Sequence, residues 1–358
     1  MKSRVLVPIS CFLLLFVVVA LGIQQDIRPS RSTSTNHPRR RAPPHSAEEV
    51  WACEEFLSVP AATQTDFTSP ASWPIPFMLW APSGSSLQGW PSLWDRCSNR
   101  SIVSVPLLVF LHGAGEVGDD LDTLRTAQGA GGTIPRLLHN AQDSGGDPLD
   151  AHFSSRQAHP LLNGEFPVMV VSPQTASGWA KSEVEKVVAL VQRLQARTVL
   201  VASQIALRVD PKKVYVTGAS MGGHAVLAYG ALKSAAALVP TCGFVQGLPL
   251  DNIARTLQLH PSSGIMLFHG ANDVMVPSFH SDDAVNQLRA ANIVVDVVAV
   301  PEGGYPTQEA AYNRSVYMRF MKALGTTDGN PAAEGHGVFR QAYAAGSPLW
   351  PWLKKRSL

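Results

Sequence analysis

The sequence predicts an α/β fold, a mostly parallel central sheet flanked by helices, and three observations carry that expectation. From about Phe77 onward, short apolar runs alternate with stretches patterned for helices, the way strands joined by helical crossovers read. Most of these runs are continuously apolar rather than alternating, as strands buried on both faces are. The 358 residues, 45% of them hydrophobic, suffice for one large domain with a sizeable core behind a leader.

The first element is the apolar run Val5 to Ile23. It stands behind Lys2 and Arg4 and ends in Ala20-Leu21-Gly22, a small-x-small pattern that signal peptidase accepts. Residues 1–23 therefore read as a secretory signal peptide, or alternatively as an uncleaved membrane anchor, since the run approaches the ~20 residues that span a bilayer. Residues 24–66 form a linker or a transit-like segment. Up to Ser46 they are rich in Arg, Ser and Pro and nearly free of acid, a composition that also suits import into a plastid. The expected compartment is the secretory pathway or the exterior, with membrane anchoring and the plastid as alternatives. Residues 67–358 are expected to form the single folded domain.

Within that domain the expected strands are Phe77 to Ala81, Val105 to Leu111, Val168 to Val171, Val214 to Thr217, Ala236 to Val239, Ile265 to His269 and Val294 to Val300. A long helix is expected after the third, with Ser182 and Glu185 as a capping box and a stripe of Val184, Val187, Val188, Val191 and Leu194 facing the core. The stretches 140–166 and 306–334 read as loops or small insertions.

Charged residues make up 16% of the chain and the formal net charge is +2, so nothing in the balance points to nucleic acid or an acidic surface as partner. Four cysteines are too few for a disulfide scaffold. Cys11 lies in the leader and Cys242 reads as a packing residue, whereas Cys53 and Cys97, in polar surroundings, are a candidate bridge in an oxidising compartment. Sequons occur at Asn99 and Asn313. No internal repeat and no cluster of metal-ligand residues is evident.

The strongest local signal is Gly218-Ala219-Ser220-Met221-Gly222, placed directly after an apolar strand and before a helix-forming stretch. In that setting G-x-S-x-G is a nucleophile elbow, in which glycines allow a tight turn that lifts the serine above the sheet. Ser220 would also stand at a helix N-terminus, where negative charge is favoured. A serine hydroxyl needs a base to take its proton and a third group to orient that base. Asp273 fits the third role, because it follows Ile265 to His269 at the carboxyl end of a strand, where sites of open α/β sheets are built; Asp282 and Asp283 are alternatives. Of the 11 histidines, only His280 and His336 follow the acid, and His336 in Glu334-Gly335-His336-Gly337 has the Gly-flanked loop expected of the base. Leu111-His112-Gly113-Ala114-Gly115 follows a strand at the place where an oxyanion loop belongs. The backbone amides of Ala114 or Gly115, together with that of Met221, would then hold the developing charge. His112 reads as a brace for this loop, and Trp179 as a buried structural residue or a wall of the substrate pocket.

With these residues in hand, the sequence resembles the predicted esterases of the α/β-hydrolase superfamily, the group of dienelactone hydrolases, acyl thioesterases, and polyhydroxybutyrate depolymerase- or feruloyl esterase-like proteins. The resemblance spans roughly Phe77 to Leu353. It rests on Pro106 to Glu116, Val171-Ser172-Pro173-Gln174, Asp210 to Gly223, His269-Gly270-Ala271-Asn272-Asp273, Gly335 to Phe339, Ala342-Tyr343 and Leu349 to Leu353. It implies a serine carboxylic ester hydrolase without cofactor, acting on a small-molecule or polymer ester, with Ser220, His336 and Asp273 as nucleophile, base and acid. The sequence departs from the group at three places. His336 comes about thirty residues after Val300 rather than soon after it, which points to an insertion. Tyr305, which stands nearer that strand, is no substitute base with a reference pKa of ~10. Val117 and His224 replace an arginine and an aromatic that are common in the group. A serine peptidase, a lipase or an inactive binding module on the same fold are the alternative readings.

Overall fold

The computed structural model describes residues 57–58, 64–67, 73–82, 87, 92–95, 100–127, 132–140, 159–202, 205–302, 304–305, 312–325 and 333–358. The leader, the Arg-rich segment up to residue 56, Cys53 and Cys97 lie outside the described residues. Among those described, no helix is long and apolar enough to cross a membrane.

Among the described residues, twelve strands form one sheet. They are β1 (Leu57–Ser58), β2 (Gln64–Phe67), β3 (Phe77–Trp80), β4 (Ser92–Asp95), β5 (Arg100–Leu111), β6 (Met169–Pro173), β7 (Thr198–Ala202), β8 (Ile205–Ala219), β9 (Ala237–Thr241), β10 (Gly264–Gly270), β11 (Asp296–Val300) and β12 (Ser315–Phe320). The main path runs β11-β12-β10-β9-β8-β5-β6-β3-β2. Every pair from β11 to β6 is parallel, and β3 and β2 add an antiparallel edge. The sheet starts earlier than the sequence suggests, since 57–58 and 64–67 pair with β7 and β3 although they fell in the expected linker. Such short pieces give too little periodicity to be recognised alone.

β5 and β8 are longer than their apolar runs. Their first halves pair in parallel from Ser101 and Ile205 to Val105 and Val209, then resume at Leu107 and Val214. The interruption coincides with Pro106 on one strand and Asp210-Pro211-Lys212-Lys213 on the other, where prolines cannot donate to the ladder.

The helices are α1 (Thr123–Thr126), α2 (Ile134–Asn140), α3 (Lys181–Gln195), α4 (Met221–Leu232), α5 (Asp251–Leu259), α6 (Phe279–Ala290), α7 (Val338–Ala342) and α8 (Leu349–Lys354). One face of the sheet packs against α3 to α6 through residues such as Val187, Val226, Ile253 and Leu288. The other packs against α2, α7 and α8 through Leu138, Phe339 and Trp350. Coverage of both faces is why the central strands read as unbroken apolar runs. The expected capping box is not made: α3 starts at Lys181 with Ala180 as its cap and no side-chain cap bond, which puts Ser182 and Glu185 inside the exposed first turns.

One expectation is corrected outright. The stretch read as an insertion contains β12, a buried strand seated between β10 and β11. The chain then passes from β12 to His336, so the histidine does follow a strand of the sheet. The interval after Val300 is long because that strand is an edge and the chain must come back to insert another.

Candidate active site

β8 ends at Ala219 and α4 begins at Met221, with Ser220 alone between them. Its backbone sits at φ 57°, ψ −118°, a left-handed region costly for a side chain and held only where the surroundings enforce it. The enforcement is visible. Ser220 N–H donates to Thr241 O at 2.9 Å, and Thr241 Oγ1 donates to Gly218 O at 2.8 Å, tying the turn to β9. A Cβ on Gly222 would fall 1.9 Å from Leu111 O, so α4 meets the end of β5 backbone to backbone, an approach that only glycine permits.

The three residues named from the sequence come together. His336 Nε2 lies 2.8 Å from Ser220 Oγ, and His336 Nδ1 lies 2.8 Å from Asp273 Oδ2. Asp273 follows β10 in a tight turn and is buried. Its Oδ1 accepts the amides of Met275 and Val276, both at 2.9 Å. Burial alone would raise its pKa, but the bonds from His269, His336 and Val276 outweigh it and hold the carboxyl at about 2. Of the alternative acids, Asp282 and Asp283 lie on α6, where Asp282 pairs with Arg319 at 3.7 Å, while the carboxylate bonded to His336 is that of Asp273. His280, on the same helix, packs on Phe279 with ring centroids 4.2 Å apart. Tyr305 donates to Gln341 O at 2.9 Å, bracing α7.

Several residues that position this set were not singled out from the sequence. His269 is fully buried. Its Nε2 bonds Val276 O at 2.7 Å and lies 3.4 Å from Asp273 Oδ2, while its Nδ1 meets Ser281 Oγ at 2.7 Å. Asn272 clamps the acid turn to the segment before the histidine, accepting from Ala323 N at 2.8 Å and donating to Ala323 O at 3.3 Å. Both lie in His269-Gly270-Ala271-Asn272-Asp273, so the motif was the available signal. Cys242 is free and fully buried, as a packing residue should be, and a ligand atom each of Cys242, Asp273 and His336 lie within 4.8 Å of one another.

On the other side of the serine, Gly113 closes up against the elbow, a Cβ there lying 3.8 Å from Ser220 Cβ. His112 is fully buried, and burial lowers its pKa to about 4 against the pull of its bond to Gly113. Thr175 N–H donates to His112 Nε2 at 3.1 Å, which fixes the tautomer, so Nδ1–H donates to Gly113 O at 2.7 Å. Trp179 is 1% exposed, and its indole N–H donates to His112 O at 2.9 Å. Both rings thus brace the loop, and Ala114 and Gly115 are left exposed at its tip.

No family model matches the chain, and no curated protein matches it in sequence. Among solved structures it superposes on a thermostable esterase at a TM-score of 0.50 and 20% identity, over 83% of this chain and 63% of that one. The fold is that of the α/β-hydrolases. The chain spans less than two thirds of that esterase's length. Further neighbours are a mutant of the feruloyl esterase module from Clostridium thermocellum complexed with sinapinate (TM-score 0.45, 13% identity, 82% of this chain and 88% of that one) and oligopeptidase B from Leishmania major (0.40, 11%, 82% and 36%).

Proposed function

We propose that this chain is a serine hydrolase of carboxylic esters that works through an acyl-enzyme. The observation that carries the reading is the position of His336, hydrogen-bonded at once to Ser220 Oγ and to Asp273 Oδ2 at 2.8 Å each. His336 Nδ1–H stays on Asp273, which leaves Nε2 free to take the serine proton as Oγ attacks the ester carbonyl. The alcohol then leaves with the proton that His336 holds, and a water activated by the same nitrogen releases the acyl group from Ser220.

The oxyanion is assigned to two backbone amides. Met221 is the first residue of α4, so its N–H has no partner within the helix. The second donor is narrowed to Ala114 rather than Gly115. In a trans peptide C=O and N–H point in opposite directions, and His112 holds the carbonyl of Gly113, which aims the Ala114 amide the other way. Loss of one such donor typically costs ~3 kcal/mol of transition-state stabilisation.

The substrate is proposed to be a small-molecule or polymer ester. The apolar run Val5 to Ile23 behind Lys2 and Arg4 supports delivery to the secretory pathway or a membrane. Labelling with a fluorophosphonate probe tests the mechanism: the unmodified protein should label, whereas Ser220→Ala and His336→Ala should not, and both should lose esterase activity by about 10⁴-fold or more. A folded, unmodified protein that fails to label overturns the reading.

A further inference from the structure

Glu116 is a buried carboxylic acid in the loop facing the serine, and the acyl-transfer steps make no use of it. It ends the 3₁₀ turn Ala114–Glu116 and is 4% exposed. Its carboxyl folds back onto its own loop, beside the backbone of Gly113. The position of a Cβ on Gly113 lies 3.2 Å from Glu116 Oε2 and 3.8 Å from Ser220 Cβ. Oε2 is therefore no further from Ser220 Cβ than these two contacts laid end to end.

The surroundings disfavour a charge there. Among the described residues no lysine or arginine pairs with Glu116, and burial raises its pKa to about 7 against the opposing pull of the backbone at Gly113 and at Glu116 itself. The groups around its loop are His112 from the end of β5, held neutral by burial; Gln174 and Thr175 from the end of β6; Thr123 of α1; and Ser220 at the elbow. Asp119 and Asp120, further along the loop, are exposed. Gln174 Nε2 donates to Glu116 O at 3.0 Å, and its own Oε1 is buried without a donor, so this polar group has an acceptor to spare and offers no surplus cation.

We propose that Glu116 is a positioning residue whose charge tunes the oxyanion site. When neutral, it packs against Gly113 and adds no charge to the loop. When ionised, it sets a second negative charge against the one developing on the substrate oxygen, in a site where water screens poorly. The inference rests on the acyl-transfer reading. Its consequence is a sign opposite to that of general-base catalysis: loss of a proton from a base makes a rate rise with pH and then level off, whereas ionisation of Glu116 makes it fall on the alkaline side.

The test is hydrolysis of p-nitrophenyl butyrate by the full chain from about pH 5.5 to about pH 9, with unmodified protein, Glu116→Gln and Glu116→Ala. For the unmodified protein, kcat should fall about tenfold above neutrality. Glu116→Gln, which fills the same space without a charge, should keep a flat alkaline arm with KM little changed. Glu116→Ala should be slower at every pH and show no alkaline fall. An unmodified profile that stays flat, or a Glu116→Gln profile that still falls, overturns the proposal; the first of these decides even if the variants do not fold. Failure of the underlying hydrolase reading looks different, because then neither hydrolysis nor fluorophosphonate labelling appears at any pH, and both readings are lost.

Discussion

At the scale of single residues, Asp273 keeps its charge although it is buried, because every oxygen has donors: Oδ1 takes two loop amides, and Oδ2 takes His336 with His269 close by. His269 is the support that sequence reading passed over. Its place in a matching motif was visible, but its partners Val276 and Ser281 lie on a loop and a helix beyond that motif, and only the folded chain brings them to one ring. Removing that ring leaves Val276 O and Ser281 Oγ buried without a partner, each costing ~1–3 kcal/mol. His269→Ala should therefore lower the stability measured by denaturant unfolding by about that amount or more, and should lower kcat with KM little altered. Unchanged stability would mean that the carboxylate is held by the loop amides alone. Ser220, Asp273 and His336 were legible because each stands in a distinctive local frame: a G-x-S-x-G turn, a strand end and a Gly-flanked loop. Glu116 was not, since its significance lies in burial without a cation.

At the scale of elements, the apolar runs located the central strands because burial on both faces leaves no polar alternation to confuse them. β12 escaped because Arg319 interrupts its short run and the residues on either side are loop-like. The guanidinium reaches outward to Asp282 on α6, so the strand accommodates it. Two devices join β12's exit to the acid turn. One is Asn272, bonded to Ala323. The other is Gly335, at φ 76°, where a Cβ would lie 2.5 Å from Asn272 C and O. Here left-handed backbone and close approach both demand glycine. Gly335→Ala should push the histidine loop off the acid turn, reducing kcat by about 100-fold or more, while far-ultraviolet circular dichroism keeps its native shape. Full activity in that variant would show that the two loops are not locked together. Tyr343 anchors the far side of the same loop, its hydroxyl 2.8 Å from Thr217 Oγ1 beneath the elbow. Tyr343→Phe should cost about 1 kcal/mol in denaturant unfolding, and no measurable cost would remove the anchor.

At the scale of the whole molecule, buried ionisable groups set opposing demands on pH. His112 and His159 have pKa values lowered to about 4, in each case first by burial, with a backbone carbonyl pulling the other way. Unfolded, each would bind a proton near pH 6.5. The unfolded chain therefore holds more protons in that window, and stability drains away as pH falls from about 6.5 towards 4. Each shift is worth up to roughly 3 kcal/mol. Glu116 has the opposite sign. Its pKa is raised to about 7 from 4.5, so the folded chain holds the extra proton, and stability is lost as pH rises from about 4.5 through 7. His224 and His280 are lowered by burial as well, so several histidines against one carboxyl place the maximum near neutrality, with a steep acid side and a shallow alkaline one. Glu116→Gln removes only the alkaline demand. Measured by differential scanning calorimetry, its Tm relative to the unmodified protein should climb by several degrees between about pH 5 and about pH 8. Parallel curves across that range would mean that Glu116 ionises as readily in the folded chain as in the unfolded one, and the charge-tuned oxyanion loop would fall with it.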